Sequence, residues 1–165
     1  NLSINLTANR NLERSLTFTN PDGTVDYESY QGEWGFSEWR GIGQVRLGWD
    51  RWSFNWQTRY LGAVAQDPEG VDEFSEATTL SDTCLGPPDD ELCRDLGETG
   101  SYMVHNVSLF YRADNWSLGA GIRNVEDKAP PLADPSEVLG VKARPIGSGY
   151  DVFGRTFFMN ASYNF

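Results

Sequence analysis

Strict alternation of apolar and polar side chains is the feature that most constrains this chain, and it recurs in six segments. In the last of them Phe157, Met159, Ala161, Tyr163 and Phe165 fall on one face. Thr156, Asn160, Ser162 and Asn164 fall on the other, with Phe158 the one exception. A helix, whose period is 3.6, would mix the two sets within a turn, so the segment reads as a β-strand. The same pattern sets Leu2, Ile4, Leu6 and Ala8 against Ser3, Asn5, Thr7 and Asn9. It also sets Trp52, Phe54, Trp56 and Tyr60 against Ser53, Asn55, Gln57 and Arg59. Val107, Leu109 and Tyr111 oppose Asn106, Ser108 and Arg112, and Trp116, Leu118, Ala120 and Ile122 oppose Ser117, Gly119, Gly121 and Arg123. A weaker sixth case sets Val45, Leu47 and Trp49 against Gln44, Arg46 and Gly48.

The connections sort by length. Trp49-Asp50-Arg51-Trp52 and Tyr111-Arg112-Ala113-Asp114-Asn115-Trp116 are hairpin-tight, whereas the links Asn20 to Ser37, Asp67 to Ser101 and Val125 to Val152 are long. Short turns on one side and long loops on the other are the pattern of outer-membrane barrels, whose short side is periplasmic. Trp49, Trp52, Tyr111 and Trp116 flank the short turns, where an aromatic girdle meets the lipid headgroups. A soluble β-sandwich also alternates, but its loops need not sort by length.

Composition agrees with an all-β membrane barrel. The chain is rich in aromatics, with six Trp, seven Tyr and nine Phe, yet only 39% apolar, and no stretch approaches the roughly 20 apolar residues of a spanning helix. A net charge of −11 argues against nucleic acid as a partner. Eleven of the 24 acidic residues lie between Asp67 and Glu98, opposed only by Arg94, and read as a solvated surface loop. Without EF-hand spacing, this acidic stretch offers a weak case for Ca²⁺. Within it, Cys84 and Cys93 are spaced for a local disulfide, which implies an oxidising compartment; two free thiols in a reducing one are the alternative. The chain opens at Asn1 already inside an alternating pattern, which reads as a start within a strand.

Two stretches carry a family resemblance. The end, GYDVFGRTFFMNASYNF, resembles the C-terminus of TonB-dependent receptors, where a Tyr-Asp-x-x-Gly-Arg turn precedes a last strand ending in aromatic-x-Phe. Upstream, WSLGAGIRNVEDKAPP resembles the penultimate strand of the same receptors through Asn124, Asp127, Pro130 and Pro131. A looser third match covers residues 32–64. The resemblance implies an antiparallel up-and-down transmembrane β-barrel segment, about six of 22 strands. Residues 1–165 would be the C-terminal part of the barrel, with the plug domain absent. Tyr163 and Phe165 would be the terminal aromatics of the signal read by the barrel assembly machinery, although Asn160 stands where a Gly is often found.

The function so implied is active uptake of a scarce nutrient across the bacterial outer membrane. A ferric siderophore is the first choice, cobalamin or an oligosaccharide the next. Partners would be outer-membrane lipid, the nutrient ligand and, through the missing N-terminal region, the TonB system. The segment alone would not transport. A small complete barrel acting as an adhesin and a secreted carbohydrate-binding sandwich are the competing readings.

For substrate contact the loop from Tyr27 to Trp39 is the best candidate, because it interleaves aromatics with acids: Tyr27, Tyr30, Trp34 and Trp39. On the polar face Arg46, Asn55, Gln57, Arg59, Asn106, Arg112 and Arg123 line the expected lumen. No catalytic constellation, metal site or cofactor is expected. His105 lacks a Cys or His partner nearby, and the glycines of Gly119 to Asn124 alternate within a strand rather than opening a helix, so they form no phosphate loop. The five Asn-x-Ser/Thr matches lie in or beside strands and carry no weight in a bacterial membrane protein.

Overall fold

The structure, a computed structural model, describes residues 1–65, 98–131, 140–141, 144–145 and 147–165. The Cys84 and Cys93 pairing and nearly all of the acidic stretch fall outside these residues. Among these residues twelve strands are present: β1 (Leu2–Arg10), β2 (Ser15–Thr19), β3 (Val25–Ser29), β4 (Trp39–Trp49), β5 (Trp52–Leu61), β6 (Val64–Ala65), β7 (Glu98–Thr99), β8 (Tyr102–Arg112), β9 (Trp116–Arg123), β10 (Gly140–Val141), β11 (Arg144–Pro145) and β12 (Thr156–Tyr163). No helix occurs among the described residues.

Six long strands form one antiparallel sheet in the order β1-β4-β5-β8-β9-β12, and these are the six alternating segments of the sequence. β1 and β12 are its two edges, each paired on one side only among the described residues. The remaining strands form three two-stranded pairs, β2-β3, β6-β7 and β10-β11. Each pair has at least one strand within a long link. The first of these pairs is a hairpin that puts Val25–Ser29, part of the expected long link from Asn20 to Ser37, in β3. Asn20-Pro21-Asp22-Gly23-Thr24 is the turn that makes it, with Gly23 at φ 84° and the Asp22 carboxylate accepting from both the amide and the hydroxyl of Thr24.

β4 and β8 begin several residues earlier than alternation alone places them. At the long-loop ends the inward face takes up apolar residues among its arginines: Leu61, Tyr102 and Val104 are buried there, and Tyr150 packs against them. Apolar residues on both faces erase the period-two signal, and with it the boundary.

Register fixes the slope of the sheet. Leu47, Phe54, Leu109, Ala120 and Met159 are successive cross-strand partners, so they mark a line perpendicular to the strands. Relative to that line the short-turn edge slips by about one residue per strand between the β4-β5 and β8-β9 turns. With a rise near 3.3 Å and a strand spacing near 4.8 Å, this is an inclination of about 35°, the tilt of closed barrels.

Candidate lumenal face and mouth cluster

The two faces of the sheet differ sharply. On the apolar face Leu6 and Met159 are 82% and 76% exposed, flanked by Leu2, Ile4, Leu47, Trp56, Leu109, Leu118 and Phe157, all exposed. No second sheet covers this face among the described residues, as a sandwich requires. Once the slope is allowed for, the aromatics on this face fall into levels. Trp49, Trp52, Tyr111, Trp116, Tyr163 and Phe165 lie within about one residue of a common height at the short-turn end. Ring contacts join them: Trp52 to Tyr111 at 4.8 Å, Tyr111 to Trp116 at 5.2 Å and Tyr163 to Phe165 at 5.1 Å. A second level of Arg10, Trp39, Tyr60 and Met103 lies about eight or nine residues higher. At this tilt the separation is roughly 22–25 Å, the height of the apolar band of an outer-membrane barrel.

Between the two levels only Thr58 and His105 are strongly polar on this face, and they satisfy each other. The Trp56 indole N–H donates to His105 Nδ1 at 3.2 Å, and Thr58 Oγ1 lies 2.7 Å from the same atom. The indole N–H can only donate, so Nδ1 is the acceptor. His105 therefore sits within β8 with its Nδ1 bonded locally.

The inward face carries a ladder of amides. Gln44 Nε2 donates to Asn55 Oδ1 at 2.9 Å, and Asn106 Nδ2 donates to Gln57 Oε1 at 3.2 Å. Asn106 Oδ1 in turn accepts from the backbone N–H of Asn124, a residue with no exposed surface. Asn124 is held at φ 50°, its side chain donating to Lys128 O and accepting from Lys128 N at 2.9 and 2.8 Å. Two phenylalanines interrupt the polar face, Phe110 and Phe158, and each sits over a glycine. A Cβ on Gly119 would meet Phe110 Cδ1 at 2.4 Å, and one on Gly121 would meet Phe158 Cζ at 2.5 Å. Phe158, the exception to alternation, thus fills the space that Gly121 leaves, with the Arg123 guanidinium over its ring at 5.5 Å.

At the long-loop end the inward face closes under aromatics. Tyr150 stacks edge-on to Tyr102 at 5.0 Å and against Trp34 at 5.5 Å, while Lys128 Nζ lies 5.3 Å from the Tyr102 ring centre. Burial pushes the Tyr150 hydroxyl up from its ordinary range, offset by a hydrogen bond with Thr99 and by the nearby Arg40. Arg40 donates to Gly35 O, and the Nε atoms of Arg40 and Arg59 are buried without a partner.

The candidate contact residues therefore divide. Trp34 joins the mouth cluster, and Arg59 lies beneath it. Arg46, Arg112 and Arg123 are exposed on the inward face. Tyr27 is on the exposed hairpin, its hydroxyl donating to Glu13, and Tyr30 contacts Phe36 and donates to Glu28. Trp39, expected in the loop, opens β4 on the opposite, apolar face, where the Arg10 guanidinium stacks on it at 5.4 Å. The sequence reading missed Arg40, Tyr102 and Tyr150. Only the spacing of Arg40 from Arg46, an even number of residues, signalled a shared face.

No family model and no curated protein matches the chain. Among solved structures it is similar to the ferric enterobactin receptor PfeA of Pseudomonas aeruginosa, at 17% identity and a TM-score of 0.49, covering 92% of this chain and 21% of that one. It is also similar to the ferric-catecholate import receptor Fiu of E. coli K12, at 16% identity and a TM-score of 0.49, covering 99% of this chain and 25% of that one. The chain thus spans a quarter or less of the length of these receptors.

Proposed function

We propose that this chain is part of the wall of a bacterial outer-membrane β-barrel, the C-terminal strands of a receptor of the TonB-dependent kind that takes up a scarce nutrient. What supports the membrane reading is the pair of levels on the apolar face, roughly 22–25 Å apart on a sheet inclined by about 35°. Between them the surface is apolar except for the mutually bonded Thr58 and His105. In water such a face is a large exposed apolar patch, whereas against lipid it is the ordinary outer surface of a barrel.

In this reading the inward amide ladder faces the lumen, and the Trp34, Tyr102 and Tyr150 cluster lies at the extracellular mouth. Tyr163 and Phe165 end the strand that the assembly machinery captures, and the TonB system acts through a region N-terminal to Asn1. The nutrient proposed first is a ferric siderophore, with cobalamin or an oligosaccharide next.

The test disrupts the encoding reading frame and follows uptake of radiolabelled ferric siderophores, cobalamin and oligosaccharides by the source bacterium. Loss of one uptake, abolished equally by a proton uncoupler, is the expected result. Unchanged uptake of all three classes would overturn the transport reading. A protein that leaves the membrane fraction without detergent would overturn the barrel.

A further inference from the structure

On the apolar face of the six-stranded sheet glycine stands at two positions only, Gly41 and Gly43, neighbours on that face of β4. Glycine inside a strand costs stability, so its presence needs a reason. Backbone conformation is not the reason, because neither residue has a positive φ. Nor does packing within the sheet demand it. A Cβ on Gly41 would meet Thr7 O at 3.4 Å and Tyr60 Cβ at 3.9 Å, which are ordinary contacts. One on Gly43 would come within 3.2 Å of Leu6 Cδ2, the tip of a side chain that is 82% exposed and has room to shift. What the two glycines create is space. With Ala8 they floor an outward-facing groove of about 560 Å³, walled by Leu6, Trp56 and Tyr60. A strand glycine that no internal contact explains marks close approach from outside.

We infer that this groove is a binding site for one acyl chain of a membrane lipid, a chain that carries a hydroxyl group near its head. The inference rests on the barrel reading and adds a specific lipid contact to it. Width selects a chain. Leu6 on β1 and Tyr60 on β5 stand two strand spacings apart, roughly 10 Å between backbones before side chains narrow the gap. A helix, about 10–12 Å across, does not fit. Charge selects the chain over a headgroup, since no Asp, Glu, Lys or Arg lines the groove among the described residues. Depth and hydrogen bonding select the hydroxyl. Thr58 also lines the groove, two residues below Tyr60 and so about 5 Å beneath the upper aromatic level. A plain hydrocarbon chain offers it nothing polar at that depth. Thr58 Oγ1 lies 2.7 Å from His105 Nδ1, the same atom that accepts from the Trp56 indole. Against an accepting nitrogen Thr58 is the donor. Its hydrogen is thus engaged while its lone pairs remain to accept, so it recognises a hydroxyl and not an ester carbonyl.

The experiment takes the protein that carries this chain from the outer membrane into a neutral detergent and counts bound lipid by native mass spectrometry. Two synthetic phosphatidylcholines are the probes, identical except that one carries a 3-hydroxytetradecanoyl chain where the other carries a tetradecanoyl chain. The protein should hold the hydroxylated lipid about 5-fold more tightly than the plain one, the effect of a single hydrogen bond. Gly41→Val suits a strand and meets only the ordinary contacts above, yet fills the groove; it should lower retention of both lipids by about 10-fold or more. Thr58→Val should still hold the plain lipid but lose the preference. Ala120→Val, on the same face outside the groove, should change neither. Equal retention by the parent and Gly41→Val, or no preference for the hydroxyl in the parent, would overturn the proposal. A protein dimer that Gly41→Val dissociates would overturn it in favour of a second copy. Quenching of belt tryptophans by brominated detergent reports separately on the barrel reading: unquenched tryptophans would sink that reading whatever the lipids do.

Discussion

Asp127 Oδ1 accepts a hydrogen bond from the backbone N–H of Arg155 at 2.7 Å, joining two motifs that lie 28 residues apart in the chain. Asp127 belongs to the turn that leaves β9 and is held at φ 56°, and Arg155 immediately precedes β12. Gly154, at φ 71°, makes the approach possible, since a Cβ there would stand 2.9 Å from the same carboxylate oxygen. The contact sets where β12 starts against β9, with Thr156 opposite Arg123. A slip of one residue would turn every side chain of β12 to the wrong face.

Asp127→Ala should therefore cost about 0.5–1.5 kcal/mol, the net worth of one partly solvated hydrogen bond, while Asp127→Asn retains most of it. Register is the sharper readout. A disulfide between Ile122→Cys and Phe157→Cys, direct partners in the sheet, should form readily in the parent chain and less completely with Asp127→Ala. Undiminished cross-linking would show that the contact does not set register.

Asn124 should be the more sensitive member of this turn. It is fully buried, and its side chain makes both hydrogen bonds to Lys128. Asn124→Ala leaves buried backbone groups unpaired and puts alanine at φ 50°, for an expected loss of about 2–4 kcal/mol in a urea titration. Asn124→Gly, which removes the backbone strain but not the lost bonds, should recover only part of it.

Gly121 and Phe158 should be coupled. Gly121→Ala places a Cβ 2.5 Å from Phe158 Cζ and 2.6 Å from Val107 O, so overpacking should cost about 1–3 kcal/mol. Combining it with Phe158→Ala should relieve the ring clash while leaving the backbone one. A double-mutant cycle should then return a favourable interaction energy of about 0.5 kcal/mol or more. Strict additivity would mean that the ring does not fill the glycine site.

The apolar face gives a depth-dependent prediction. Met159→Arg lies midway between the two aromatic levels and should oppose membrane folding by about 2–4 kcal/mol, whereas Asn160→Arg, one residue on but inward, should be tolerated. The measurement is folding into lipid vesicles, read by tryptophan fluorescence. Equal tolerance at both positions would contradict the assignment of faces.

The β2-β3 hairpin should loosen in acid. The two hydrogen bonds from Thr24, side-chain hydroxyl first and then amide, hold the Asp22 carboxyl below its ordinary value of 3.8. A depressed folded-state value means that the stabilisation is full above the unfolded value and disappears as pH falls through the folded one. Proton NMR of Phe18 and Tyr27 should therefore show the hairpin opening below about pH 3.8. Asp22→Asn should remove that step.

Period-two alternation by itself determined six strands, their faces and the aromatic flanks of the short turns, because parity is a local property of the backbone. Tyr163 keeps in the sheet the apolar face that parity assigns to it together with Phe165, and Phe165, past the end of β12, packs its ring against Tyr163. Parity carries no register, and register depends on how side chains of different strands fit across the sheet. Only the tertiary structure therefore decided the inclination that levels Trp49 with Phe165, the meeting of Asp127 with Arg155 and the seating of Phe158 over Gly121. It also decided where parity misleads. At the long-loop end Tyr150 covers Leu61, Tyr102 and Val104, so apolar residues stand on the inward face beside Arg40 and Arg59, and Trp39 opens a strand on the apolar face rather than lying in the loop. Such reversals depend on which loop folds over which strand, a relation between distant segments that no window of neighbouring residues contains.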